Sequence, residues 1–155
     1  MKSPIKSFLF LTVFIIASVM NSSAQQKPAP TLKPPPLQSF WGTTKGGDLP
    51  LEFVLSVLDS AVWVIDDKKN RYAISRFIVV YRSKDKFEDE KTGELKTRFN
   101  PNSTSVKNSA LLPELWRKNL YETIKKDDEL IIADIIVRDK KGNYFSAPDV
   151  KIVIK

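Results

Sequence analysis

Alternating apolar and polar positions dominate the end of the chain. In "ELIIADIIVRD" (129–139), Ile131, Ala133, Ile135 and Val137 fall on one face, and Leu130, Ile132 and Ile136, interrupted by Asp134, on the other. Apolar residues on both faces predict a strand near the centre of a sheet. "DKKGN" (139–143) turns the chain, with Gly142 free to take positive φ. In "YFSAPDVKIVIK", Val150, Ile152 and Ile154 alternate with Lys151 and Lys155, and Pro148 stands at the entry. One wet face and a proline predict an edge strand.

A second hairpin is predicted upstream. "LEFVLSVLDSAVWVIDD" (51–67) ends in alternation of Ala61, Trp63 and Ile65 against Val62, Val64 and Asp66. Its first part, through Val57, fits a strand or a helical turn equally well. "DDKKN" (66–70) is a polar turn. "RYAISRFIVVYR" (71–82) returns with Phe77, Val79 and Tyr81 on one face and Ile74, Ile78 and Val80 on the other. The polar stretch 83–109 predicts an exposed, mobile excursion, with a hairpin tip at Thr92-Gly93 and a turn at Asn100-Pro101-Asn102. The period then changes: Leu112, Leu115/Trp116, Leu120 and Ile124 recur every three or four residues and predict one helix over about 110–126. Ser109 is its expected N-cap, and Pro113 is tolerable only in the first turn.

The N-terminal third carries a different pattern. Lys2 and Lys6 precede an apolar run from Phe8 to Met20, followed by Ser22-Ser23-Ala24, the order of a cleavable export signal over residues 1–24. The run is shorter than the roughly 20 residues a membrane-spanning helix needs. No stable membrane insertion is therefore expected after cleavage, although retention as an anchor is the alternative. Residues 25–39 hold five prolines and no aromatic residue, and are expected to form a disordered, semi-rigid spacer. The remaining 40–155 suffice for one domain. The expected location is outside the cytoplasm, periplasmic or secreted.

Composition narrows the chemistry. The 155 residues include no cysteine and no histidine, so neither disulfides nor the commonest general base and metal ligand is available. The formal net charge of +7 falls to +5 if Lys2 and Lys6 leave with the signal. Lysines and acids interleave, as in "KDKFEDEKTGELK", and most aromatics occupy core-patterned positions, so nucleic acid is not an expected partner. The carboxylate clusters Asp66-Asp67, Glu88-Asp89-Glu90 and Asp127-Asp128-Glu129 read as solvated turns and charge runs. Lysines in 139–143 break the spacing of a calcium loop, and no phosphate-binding glycine loop is present. No catalytic residue, metal site or cofactor is expected.

The helix running into "IKKDDELIIADIIVRDKKGNYFSAPDVKIVIK" resembles the end of the C-terminal domain of the GldM/PorM family of gliding-motility and type IX secretion proteins. Ile135, Val137, Asp139 and Gly142 keep that family's "I-x-V-x-D" and "D-x-x-G" pattern, while Asp127-Asp128 replace its Gly-Asp step. "VWVID…YAISRFIVVYR" is similar to its earlier strand pair, so the resemblance spans roughly 51–155. It implies a mainly β, immunoglobulin-like antiparallel sandwich with one helix, in the envelope of a Bacteroidota-type bacterium. The chain would be a free-standing, non-enzymatic relative acting through an envelope protein partner. The alternatives are a small-ligand or glycan-binding module, or an enzyme with an unrecognised cleft. The expected partner contact is the terminal strand: its open backbone edge, with Lys151 and Lys155 steering the partner. Asp134 is either a second contact or an ion-pair partner of Arg76 or Arg82.

Overall fold

In the computed structural model of the protein, residues 34–155 are described; the expected signal 1–24 and residues 25–33 of the spacer lie outside them. The described elements are β1 (Leu37–Trp41), β2 (Gly47–Leu49), α1 (Leu51–Val57), β3 (Val62–Asp66), β4 (Arg71–Glu88), β5 (Leu95–Lys107), α2 (Glu114–Thr123), β6 (Glu129–Arg138), β7 (Tyr144–Ala147) and β8 (Val150–Ile154). The expected spacer therefore ends earlier than residue 39, because Leu37, Gln38 and Ser39 pair with Asp66, Ile65 and Val64.

The fold is mainly β and sandwich-like. Eight strands form one connected sheet in the order β1-β3-β4-β6-β8-β2, with β5 also on β4 and β7 also on β6. The sheet forks at both long strands. β3 takes the first residues of β4, at Arg71 and Tyr72, and β5 takes the rest from Arg76 onward. Similarly, β7 pairs with Ile135–Arg138 and β8 with Glu129–Ile132.

The forks coincide with a line of irregularities that bends the sheet. In β4 the inward face changes between Ile74 and Phe77, where the register with β6 shifts. In β6, Asp134 takes φ 49°, so Leu130 and Ile132 before it and Ile135 and Val137 after it all point inward. The strict alternation expected across this strand is thus broken by one residue. Pro148 and Asp149 interrupt the partner strand at the same level, and the Asp134 N–H donates to Asp149 Oδ1 at 3.2 Å. Bulges of this kind sharpen twist and bend a sheet. The bend lets Trp41, Val64, Phe77, Ile132 and Val150 share one core, which Val54, Leu58, Leu120 and Ile124 close.

The helical expectations need adjustment. The segment left open at 51–57 is helix α1. Helix α2 starts at Glu114, because the residue before Pro113 is held out of the helical region and Pro113 itself serves as N-cap. Ser109 instead accepts from Leu111 N–H at 3.0 Å, capping a turn. Trp116 is half-buried, whereas Leu112 and Leu120 carry the buried contact.

Two further expectations are overturned. Residues 100–102 are no turn; they lie inside β5, with Pro101 opposite Arg82. The terminal strand β8 is not an edge, because β2 pairs with it in parallel, Gly47 with Ile152 and Leu49 with Ile154. The Lys155 N–H donates to Leu49 O at 2.9 Å on that side. Gly46 makes the approach possible: a Cβ there would lie 2.3 Å from the Lys151 carbonyl oxygen.

Candidate functional site

With β8 covered, the expected partner surface loses its backbone component. Its lysines remain partly exposed but are ion-paired, Lys151 with Glu129 at 2.8 Å and Lys155 with Asp48 at 3.3 Å. Asp134 pairs with Arg76 at 2.8 Å, one of the two arginines expected for it. The three residues do not form one site: Lys151 lies in β8 and Lys155 just past its end, while Asp134 marks the bend of β6 and bonds across to β4.

The long open edge of the sheet is β5. Its thirteen residues pair with β4 along one side, Lys107 with Arg76 through Leu95 with Glu88, and no strand among the described residues pairs with the other side. Proteins blunt such edges with charges and prolines. Here Lys96, Arg98 and Pro101 blunt the distal half and Lys107 the proximal end. Asn102–Ser105 between them is uncharged and free of proline, and Val106 is buried.

Beyond Arg82, the last β4 residue paired with β6, the β4–β5 ribbon continues alone. Asp128 fixes its root. This buried carboxylate accepts from the Tyr81 hydroxyl at 2.6 Å, from Lys84 N–H at 2.8 Å and from Lys125 N–H at 3.0 Å. Burial, together with the bond to Asp128, pushes the Tyr81 phenol well above its ordinary range. Glu129 is also buried and divides its oxygens between Arg82 at 2.7 Å and Lys151. The reading of Asp127-Asp128-Glu129 as a solvated run is therefore wrong for its last two members: they tie three segments of chain together. Asp66, likewise expected in solvent, is buried within its turn.

The ribbon carries most of the exposed large apolar side chains on the sheet. Phe87 and Phe99 are partly exposed on opposite faces, and Leu95 is 75% exposed. Arg82 lies 4.5 Å from the centre of the Phe99 ring and Arg98 lies 5.7 Å from that of Phe87, so each ring has a cation over it. Near the root, Lys125 holds the Asp85 carboxyl below its ordinary range with an ion pair at 3.1 Å, and Asn100 also donates to it. At the tip, Lys96 and the Lys91 N–H do the same for Asp89.

Scans of protein-family models and of curated proteins returned no match to the chain.

The arrangement offers a surface for binding. Asp128 and Glu129 have their oxygens committed to the fold. The backbone edge at Asn102–Ser105 offers donors and acceptors that no strand among the described residues pairs, beside amphipathic side chains. Sequence patterning missed this edge because a polar strand carries no hydrophobic alternation; the usable signal was the β-branched and hydroxyl run "STSV" opposite the apolar strand 76–82.

Proposed function

We propose that the protein is a non-enzymatic, exported interaction domain of the bacterial envelope that recruits a protein partner by strand addition along β5. The observation that carries this reading is the thirteen-residue β5 with one edge unpaired among the described residues, next to the exposed Phe87, Leu95 and Phe99. In strand addition, main-chain hydrogen bonds supply affinity and neighbouring side chains supply specificity. Export is supported by Lys2, Lys6, the apolar run and Ser22-Ser23-Ala24. The resemblance to the GldM/PorM C-terminal domain adds an association with gliding motility or type IX secretion to the proposal, with a mainly β fold of suitable size in its support.

The test is site-specific photo-crosslinking in the native envelope. A photoreactive residue at Ser103 or Ser105 should yield one dominant protein adduct, and the same residue at Lys155 should not. Equal adducts from Lys155, or none from β5, would remove β5 as the contact.

A further inference from the structure

The opposite end of β4 carries a second surface. The β3–β4 and β6–β7 connections have one sequence pattern, "DDKKN" at 66–70 and "DKKGN" at 139–143, and one geometry. Asp66 Oδ1 accepts from Lys68 N–H at 2.9 Å and Asn70 N–H at 2.8 Å, and its Oδ2 accepts from the Asn70 amide at 2.8 Å. Asp139 repeats this with Lys141 N–H at 2.8 Å, Asn143 N–H at 2.9 Å and the Asn143 amide at 2.9 Å. The fourth residue of each turn has positive φ, 64° at Lys69 and 89° at Gly142. The asparagine bonds hold both carboxyls below their ordinary range.

The result is a cationic end. The two carboxylates are turned into their own loops, while Lys68, Lys69, Lys140 and Lys141 are exposed at the tips. Arg71 and Arg138 stand on the adjoining sheet face, with Ala73 directly opposite Arg138. The small alanine leaves an open groove of about 510 Å³ lined by Arg71, Ala73, Arg138, Asp139, Lys140 and Lys141. None of these six cations belongs to an ion pair among the described residues, although nine ion pairs form elsewhere on the domain. Asp67 is the one carboxylate of the two turns not bonded into its loop. Tyr144, 59% exposed, is the cross-strand partner of Arg138.

We infer that this end docks on a membrane surface bearing anionic phospholipid headgroups. Four lysines at the tips of two adjacent turns meet a plane end-on, which a groove for a small buried ligand would not require. Guanidinium groups match the oxygens of phosphate. Arg71 is held 5.3 Å from the centre of the Trp63 ring, with its donors unpaired to any carboxylate among the described residues. An exposed tyrosine suits the headgroup level, where amphipathic rings collect. The first described strand also enters the domain here, since Leu37 lies opposite Asp66. Polybasic segments gain attraction with each lysine or arginine near an anionic leaflet, and salt screens it. This inference does not rest on the β5 reading, because it concerns the other end of β4.

The test is vesicle flotation with the chain from Gln25, which lacks the apolar run Phe8–Met20 and so reports binding by the folded domain. It compares vesicles of phosphatidylcholine alone with vesicles containing phosphatidylglycerol, at low and high salt. A turn variant, Lys68→Glu/Lys140→Glu/Lys141→Glu, is set against a charge-matched control at the other end, Lys86→Glu/Lys91→Glu/Lys126→Glu. Circular dichroism confirms that both fold. The expected result is salt-sensitive binding to the anionic vesicles only, weakened on the order of a hundredfold in the turn variant and within about threefold of the parent in the control. Equal loss in both variants would show a diffuse charge effect and overturn the assignment. So would equal binding to both vesicle types, or binding to a soluble polyanion such as an oligonucleotide without binding to vesicles.

Discussion

Replacing Asp128 tests how the ribbon is anchored. The carboxylate is fully buried and receives two backbone N–H groups and a phenol. Asp128→Ala leaves the N–H groups of Lys84 and Lys125 without an acceptor, whereas the Tyr81 hydroxyl keeps the Thr123 carbonyl at 3.1 Å. A buried orphaned donor costs roughly 1–3 kcal/mol, and because both N–H groups are only partly covered, about 3 kcal/mol is expected for the pair. Asp128→Asn retains one acceptor oxygen but turns an NH₂ toward a donor, and should cost about 2 kcal/mol. Tyr81→Phe removes the one hydroxyl proton that Asp128 and the Thr123 carbonyl share and orphans no donor, for about 1 kcal/mol. The order Ala, Asn, Phe can be measured by urea unfolding, against a total of about 5–15 kcal/mol for a domain. Amide exchange at Lys84 and Lys125 should accelerate in step. If Asp128→Asn lies within about 0.5 kcal/mol of the parent, or Tyr81→Phe exceeds Asp128→Ala, the carboxylate is not the anchor.

Other consequences are equally direct. Lys151→Glu puts a carboxylate against the buried Glu129 and should destabilise the domain by about 1–2 kcal/mol in chemical denaturation; the same change at the more exposed Lys155 pair should cost under about 1 kcal/mol. At the bend, Asp134→Val forces a β-branched residue into φ 49° and should cost roughly 1–2 kcal/mol, while Asp134→Gly should be close to neutral. Asp66, Asp85, Asp89 and Asp139 all have lowered folded values, so their contribution is complete above the ordinary value of 3.8 and is lost as pH falls through the lower folded values. The thermal midpoint should therefore drop below about pH 4, and less steeply in Asp66→Asn/Asp139→Asn.

How much of this was legible depended on whether the side chains or the backbone decided the structure. The two Asp-to-Asn turns, the apolar strands between 61 and 82, and the buried Leu112, Leu120 and Ile124 follow from patterning, since burial selects their side chains. The bend was hidden. "IIADIIV" reads as one continuous register in which Asp134 interrupts only the polarity of a face, and only the left-handed backbone at Asp134 moves Ile135 onto the face of Ile132. The cover over β8 was hidden too, because Gly47–Leu49 has three residues and pairs through its backbone, with Gly46 chosen for lack of a Cβ. Without that strand, Lys151 and Lys155 looked like an exposed rim. Residues 83–109 were legible at their tip, where the hairpin expected at Thr92-Gly93 joins β4 to β5; the extent of β5 through 100–107 was hidden, because a solvated ribbon needs cross-strand pairs rather than apolar alternation.

Amide hydrogen exchange along Asn102–Val106, resolved residue by residue in the free protein and again with the crosslinked envelope partner bound, tests the central claim most directly. An open edge predicts that amides pointing to β4 are protected in the free protein, that outward-pointing amides in the same segment exchange fast, and that the partner slows the outward set. Uniform protection in the free protein, or a partner that leaves the outward amides fast, would contradict strand addition at β5.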